Sequence, residues 1–231
     1  MALFAFILLI AGSPTVFADD TALRQAEGLW EYTGLVTRDG QSLPLTGVFL
    51  ISKGTFLQQS IFNTEPFESA GSMAHAGPYW AGGAGMRLRS EQTLSLDPAA
   101  ETPLRSAGPM GHDLKVERDG NDLTLTFGGG TSTVQTFSRL GSGADAQLFT
   151  LEDGSLALAD GYFILVVGNS DRVISGYGRY EQDDSELSLD VIRWAESDGI
   201  AVRNLRDVTL GATITDRALE LDDGRRFAIK P

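Results

Sequence analysis

Along most of this chain apolar and polar residues alternate over short runs, and the runs are punctuated by Gly, Asp and Asn. A period of two puts successive side chains on opposite faces of a strand, so each run predicts a strand with one buried and one wet face. The clearest runs are residues 29–37, 48–53, 86–96, 123–127, 134–140, 162–167, 173–180, 187–194, 208–214 and 219–221. Asp39-Gly40, Asp119-Gly120, Asp153-Gly154, Asp198-Gly199 and Asp223-Gly224 supply hairpin signals, because both central residues of a type I′ turn need positive φ. In Leu123-Thr124-Leu125-Thr126-Phe127 the alternation is strict, and Leu187-Ser188-Leu189-Asp190 follows the same rule. Residues 21–27 are expected to form one or two helical turns, and no helical periodicity of useful length follows them. The expected fold class is all-β and antiparallel with a short N-terminal helix, which argues against βαβ units and the cofactor folds built on them.

The pattern partly repeats. Asp39-Gly40, Gly47, Phe49 and Gly54 recur at the same spacing as Asp153-Gly154, Gly161, Phe163 and Gly168, and Leu94-Ser95-Leu96-Asp97 matches Leu187-Ser188-Leu189-Asp190 at a shorter offset. The change of offset places an insertion in the first copy near residues 62–85. Two β units in tandem are therefore expected, residues 19–140 and 145–231, joined near Gly141-Ser142-Gly143-Ala144-Asp145.

Residues 1–18 read MALFAFILLIAGSPTVFA. The apolar centre from Ala2 to Ala11 has the length of a signal-peptide h-region and is too short to span a bilayer. Val16-Phe17-Ala18 offers small residues where a signal peptidase reads, and Asp19 would open the mature chain. The expected location is periplasmic or secreted, with no integral membrane segment in the mature chain. Composition narrows the chemistry further. With no Cys among 231 residues, a disulfide scaffold, a Cys zinc site and a thiol nucleophile are excluded. A net charge of −13 without a Lys/Arg run argues against nucleic acid and anionic lipid surfaces as partners. Two His in the whole chain offer no metal-ligand or triad spacing, so neither a metal nor a cofactor is implied.

Several short motifs then fall into an order. Gly28-Leu29-Trp30 follows the short helical segment and precedes an alternating strand. Ala74-His75-Ala76-Gly77-Pro78-Tyr79, Leu94-Ser95-Leu96-Asp97-Pro98, Gly120-Asn121-Asp122-Leu123-Thr124-Leu125 and Thr136-Phe137-Ser138-Arg139 come next. Across residues 25–140 this order resembles the lipocalin-like families, in particular short bacterial lipocalin-like domains. The resemblance implies an antiparallel, calycin-type β-barrel of eight strands. It also implies that Trp30 sits at the closed end with Arg139 over its ring, a structural lock. No Gly-x-Trp opens the second half, which is expected to be either a degenerate second barrel or strands that enlarge the first.

Barrels of this size hold at most one small ligand. Phe49, Ile51, Phe56, Ile61, Leu88, Leu94, Leu123, Leu125 and Phe137 occupy the expected inward positions, most of them as packed core, with Phe49 and Phe56 as candidate ligand contacts. The Gly-rich segment 71–85 reads as a mouth loop carrying His75, Tyr79 and Trp80, with Arg87 just beyond it. His75 and Tyr79 are the acid–base candidates if the barrel is an enzyme, while His112 lies in a second expected loop. Arg193-Trp194 either repeats the Trp/Arg lock or joins Tyr177 and Tyr180 in a second pocket. The acidic stretch 181–186 reads as a solvated hairpin tip and lacks the order of a Ca²⁺ loop. The expected function is binding of a small hydrophobic or amphipathic molecule, an apolar compound or lipid, in a barrel cavity. The alternatives are an isomerase, cyclase or lyase acting on a hydrophobic substrate, and a periplasmic scaffold with no ligand.

Overall fold

The computed structural model describes residues 20–83, 85–128 and 132–231. The expected signal segment, residues 1–18, lies outside them. The first unit consists of α1 (Thr21–Ala26), β1 (Gly28–Val36), β2 (Ser42–Leu43), β3 (Leu45–Ser52), β4 (Thr55–Phe62), a 3₁₀ turn (Phe67–Ser69), β5 (Ser72–Gly82), β6 (Gly85–Ser90), β7 (Gln92–Leu96), β8 (Leu104–Ala107), β9 (Met110–Asp119), β10 (Asp122–Phe127) and β11 (Val134–Gly141). Strands β1, β3, β4, β5, β6, β9, β10 and β11 close into an eight-stranded antiparallel barrel. Closure depends on β5, which pairs β4 through Ser72–Pro78 and β6 through Tyr79–Gly82.

The second unit comprises β12 (Gln147–Leu151), β13 (Gly154–Ala159), β14 (Tyr162–Gly168), β15 (Val173–Asp183), β16 (Glu186–Ser197), β17 (Val202–Leu205), β18 (Val208–Ile214), β19 (Ala218–Leu221) and β20 (Arg226–Ala228). All but β17 form a second antiparallel ring. It is nearly closed by a single bridge between Leu151 and Ile229, reinforced by 2.8 Å bonds from Glu152 N–H to Ala228 O and from Lys230 N–H to Thr150 O.

Three apolar clusters hold this arrangement. One fills the first barrel around Trp30, Phe49, Phe56 and Phe137, and a second fills the other barrel around Leu156, Phe163, Leu189 and Trp194. The third lies between the barrels, where Val48, Leu50 and Leu57 meet Ala157, Ile164 and Val166. Strands β3 and β14 contribute to a barrel interior with one face and to the shared core with the other. Their sequences therefore read as nearly continuous apolar runs, as strands covered on both sides do.

Four expectations change in detail. Ile61 and Leu94 pack in the core between the barrels rather than inside the first one, since the outer face of this wall is also dry. Residues 86–96 form β6 and β7, two strands that pair β5 in sequence with a shift opposite Gly77-Pro78, where Pro78 has no N–H to give. The segment expected to be a mouth loop is strand β5. Its small residues serve packing: Ala74 and Ala76 face the second barrel, and a Cβ on Gly77 would run into the Arg89 carbonyl. The repeat holds as two barrels in tandem, but the matched residues run out of step. Asp39-Gly40 lies before β2 and β3 and Gly154 opens β13, whereas Gly47 lies inside β3 and Gly161 in the turn between β13 and β14.

Candidate functional site

The first barrel is plugged at one end. Helix α1 places Ala22, Leu23 and Ala26 against the barrel core, and the Ala26 carbonyl accepts the Trp30 indole N–H at 2.8 Å. The guanidinium carbons of Arg118 and Arg139 each stand 5.4 Å from the centre of the Trp30 ring. Burial and the neighbouring Arg118 charge lower the pKa of Arg139 from its usual value. Tyr79 belongs to this same end, its hydroxyl donating to Glu27 Oε1 at 2.8 Å, and burial raises its pKa.

Toward the other end the interior is not filled. A cavity of about 360 Å³ opens there, with Leu35, Phe49, Phe56, Met73, Leu88 and Phe127 among its apolar walls. Its polar side chains come from six strands, with Thr37 and Thr133 from the adjoining loops. Tyr32 of β1 donates its hydroxyl to Gln135 Oε1 of β11 at 2.9 Å, and Gln58 Nε2 of β4 donates to Ser60 Oγ at 3.0 Å. The first of these bonds ties β1 to β11, and burial pushes the Tyr32 pKa well up. Gln58 stands directly opposite His75 on β5, and Leu88 opposite His112 on β9, so both pairs share the inner face. Ser90 Oγ lies 3.5 Å from His75 Nδ1, and His112 packs edge-on to Phe127.

Burial lowers the His75 pKa to about 4, with the His112 charge acting in the same direction, and burial lowers that of His112 as well. Both imidazoles are therefore neutral at neutral pH, each offering one donor and one acceptor. The cavity thus combines apolar walls with a few uncharged hydrogen-bonding groups, the usual make-up of a small-molecule site and near the small end of such volumes.

Of the residues singled out from sequence, His75, Phe49 and Phe56 line this cavity, as does His112. Tyr79 sits at the plugged end, below it. Trp80 and Arg87 lie on the outer side, beside an open hollow of about 370 Å³, and Arg87 pairs with Asp113 at 2.6 Å. Tyr177 is buried in the core between the barrels, and Tyr180 packs against the second barrel's core. Trp194 is itself inside that second core and carries Arg225, not Arg193, over its ring at 5.6 Å. Arg193 points the other way, onto Phe67 at 5.5 Å, because neighbours on a strand face opposite sides. The acidic stretch 181–186 forms the β15–β16 hairpin tip.

Tyr32, Gln58, Ser90 and Gln135 are cavity residues that sequence reasoning passed over. A polar residue within an alternating strand ordinarily marks its wet face, so nothing local distinguishes these four. Among the described residues no group of three or more His, Asp or Glu is placed to hold a metal ion, and no helix is long and apolar enough to cross a membrane. No protein-family model, no curated protein and no solved structure matches this chain.

Proposed function

We propose that this is an exported, lipocalin-like protein that binds one small hydrophobic or amphipathic molecule inside its first barrel. The observation that carries the reading is the 360 Å³ apolar cavity at the end of the barrel away from α1 and Trp30. A ligand burying about 200 Å² of apolar surface there would gain roughly 5 kcal/mol from leaving water. His75, Gln58 and Gln135 would fix its polar end. The order of motifs from Gly28-Leu29-Trp30 to Arg139, and the position of Arg139 over Trp30, support the lipocalin-like assignment. The acid–base alternative has less support. Tyr79 is held by Glu27 away from the cavity, and no carboxylate is among the described residues that line it to orient His75.

Native mass spectrometry of the protein purified from the cells that make it, followed by organic extraction, tests this reading. One co-purifying apolar compound at near-unit stoichiometry is the expected result. An apo mass that persists after incubation with a lipid extract would sink the carrier function. Export rests on residues 1–18 and is read from the same spectrum, because the mature chain is expected to begin at Asp19.

A further inference from the structure

The side chains around the cavity share a property that a hydrophobic site does not require. None of the described residues lining it is Asp, Glu, Lys or Arg. Three charged groups close to lining residues are engaged. Arg87 and Asp113 pair with each other on the outer side of β6 and β9, and Asp39 accepts a bond from the hydroxyl of Thr37, a lining residue, at 2.5 Å. The chain as a whole carries a charge of −13, a field that lowers the local concentration of anions.

Resting on the carrier reading, we propose that the first barrel selects uncharged amphiphiles and rejects carboxylates, sulfonates and ammonium ions built on the same apolar body. An ion entering this cavity would leave water without meeting a counter-charge, and an unpaired buried charge is among the costliest groups to desolvate. A hydroxyl, ester or amide meets no such barrier. Gln58 spends Nε2 on Ser60, and Gln135 spends Oε1 on Tyr32, so the remaining amide ends offer an acceptor from Gln58 and a donor from Gln135. A neutral polar group able to donate and accept can satisfy both. The neutral imidazoles of His75 and His112 add groups of the same kind.

The test uses matched probes at neutral pH. Fluorescence titration compares N-phenylnaphthylamine with its sulfonated counterpart, anilinonaphthalene sulfonate. Displacement of the neutral dye then ranks n-decanol, decanoate and decylammonium. Binding of the neutral dye at least about tenfold tighter than the sulfonate, with n-decanol ahead of both ions by a similar factor, is the expected result. Comparable binding of charged and neutral partners would overturn charge selection while leaving the carrier reading intact. Failure of every probe to bind would count against the carrier reading itself and remove the inference with it. Met73→Lys, at a partly exposed lining position, separates selection by the lining from mere differences in solubility. It is expected to bring decanoate several-fold closer to n-decanol and to push decylammonium further away. An unchanged ranking in that variant would show that the lining does not set the preference.

Discussion

The two barrels share an antiparallel course and the same number of ring strands, yet one is filled by a large apolar cluster, with an open hollow of about 290 Å³ beside Ile174 and Arg225, and the other is hollow inside at one end. An eight-stranded ring leaves an interior that side chains can just fill, so the choice of inward residues decides which outcome follows. In the second barrel those residues are large and apolar, including Leu156, Leu158, Phe163, Leu165 and Leu189. Trp194 takes up further volume because Gly176 faces it, where a Cβ would run into the indole ring. In the first barrel Trp30 packs against α1 in one core with Phe49 and Phe137, and Phe49 already borders the cavity. Nearer the other end β4, β5 and β11 contribute Gln58, His75 and Gln135, whose polar ends face Ser60, Ser90 and Tyr32 instead of interdigitating. The cavity here is thus a local failure to pack, held open by polar groups that need partners and therefore cannot collapse into an apolar gap.

The comparison breaks first under removal of a large side chain. Phe163→Ala in the filled barrel is expected to cost about 3–5 kcal/mol, since the void left there is enclosed on every side. Phe56→Ala already borders empty space and is expected to cost less, about 2–3 kcal/mol, while admitting bulkier neutral probes. Denaturant unfolding of both variants measures the difference, and equal losses would show that the first barrel is packed as tightly as the second.

Acid provides the next test, because only the hollow barrel holds histidines. The folded-state pKa of His75, about 4, lies below the ordinary value of 6.5. The unfolded chain therefore takes up the proton first, and stability is lost as pH falls from about 6.5 toward 4. A shift of this size corresponds to at most about 3 kcal/mol, and less where the cavity holds water. His75→Phe is expected to flatten the pH dependence of stability across that window. A slope unchanged from the native protein would place the acid sensitivity elsewhere.

How legible each feature was depends on how local its cause is. Strict alternation at Leu123–Phe127 is set by one buried face, and its inward residues were readable from that pattern alone. In β3 and β14 the face expected to be wet is dry, because nothing local in residues 48–53 or 162–167 names the neighbouring barrel as what covers it. Strand β5 was misleading, since the same Gly and Ala residues that suit a flexible loop also suit a strand pressed between neighbours. For the site, His75 stood out by residue type. Tyr32 and Gln135 are separated by 103 positions and acquire meaning only when β1 and β11 pair. Asn204 was invisible for the same reason: its Nδ2 lies within bonding distance of the carbonyls of Phe67, Glu68 and Ala70 in the 3₁₀ turn of the other unit.

Asn204 in turn tests whether the barrels are coupled. Asn204→Ala leaves those carbonyls without their shared donor and is expected to cost about 1–3 kcal/mol, read as a lower unfolding midpoint. If the barrels depend on one another, probes of each should move together. Separate transitions, with only one barrel shifted, would show that the filled barrel does not support the hollow one.

The smallest effects are expected where each barrel presents Arg to its Trp. Arg225 lies over Trp194 and also pairs with Glu196 at 2.6 Å and with Asp223, so Arg225→Ala removes three interactions and leaves a largely buried Glu196 with Arg203 and the Trp194 N–H alone. About 1–2 kcal/mol is expected for that change. Arg118 lies over Trp30 with a bond to the Gly120 carbonyl, and Arg139 remains beside the same ring when it is removed. Arg118→Ala is therefore expected to cost only about 0.5 kcal/mol. The order matters more than either value. The end of the first barrel is covered by α1 and fixed by the bond from Trp30 to Ala26, so its cations are secondary, whereas Arg225 belongs to a network within its own barrel. A loss at Arg118 as large as that at Arg225 would reverse this: the hollow barrel would then be closed by its cations, and α1 would contribute little to keeping that end shut.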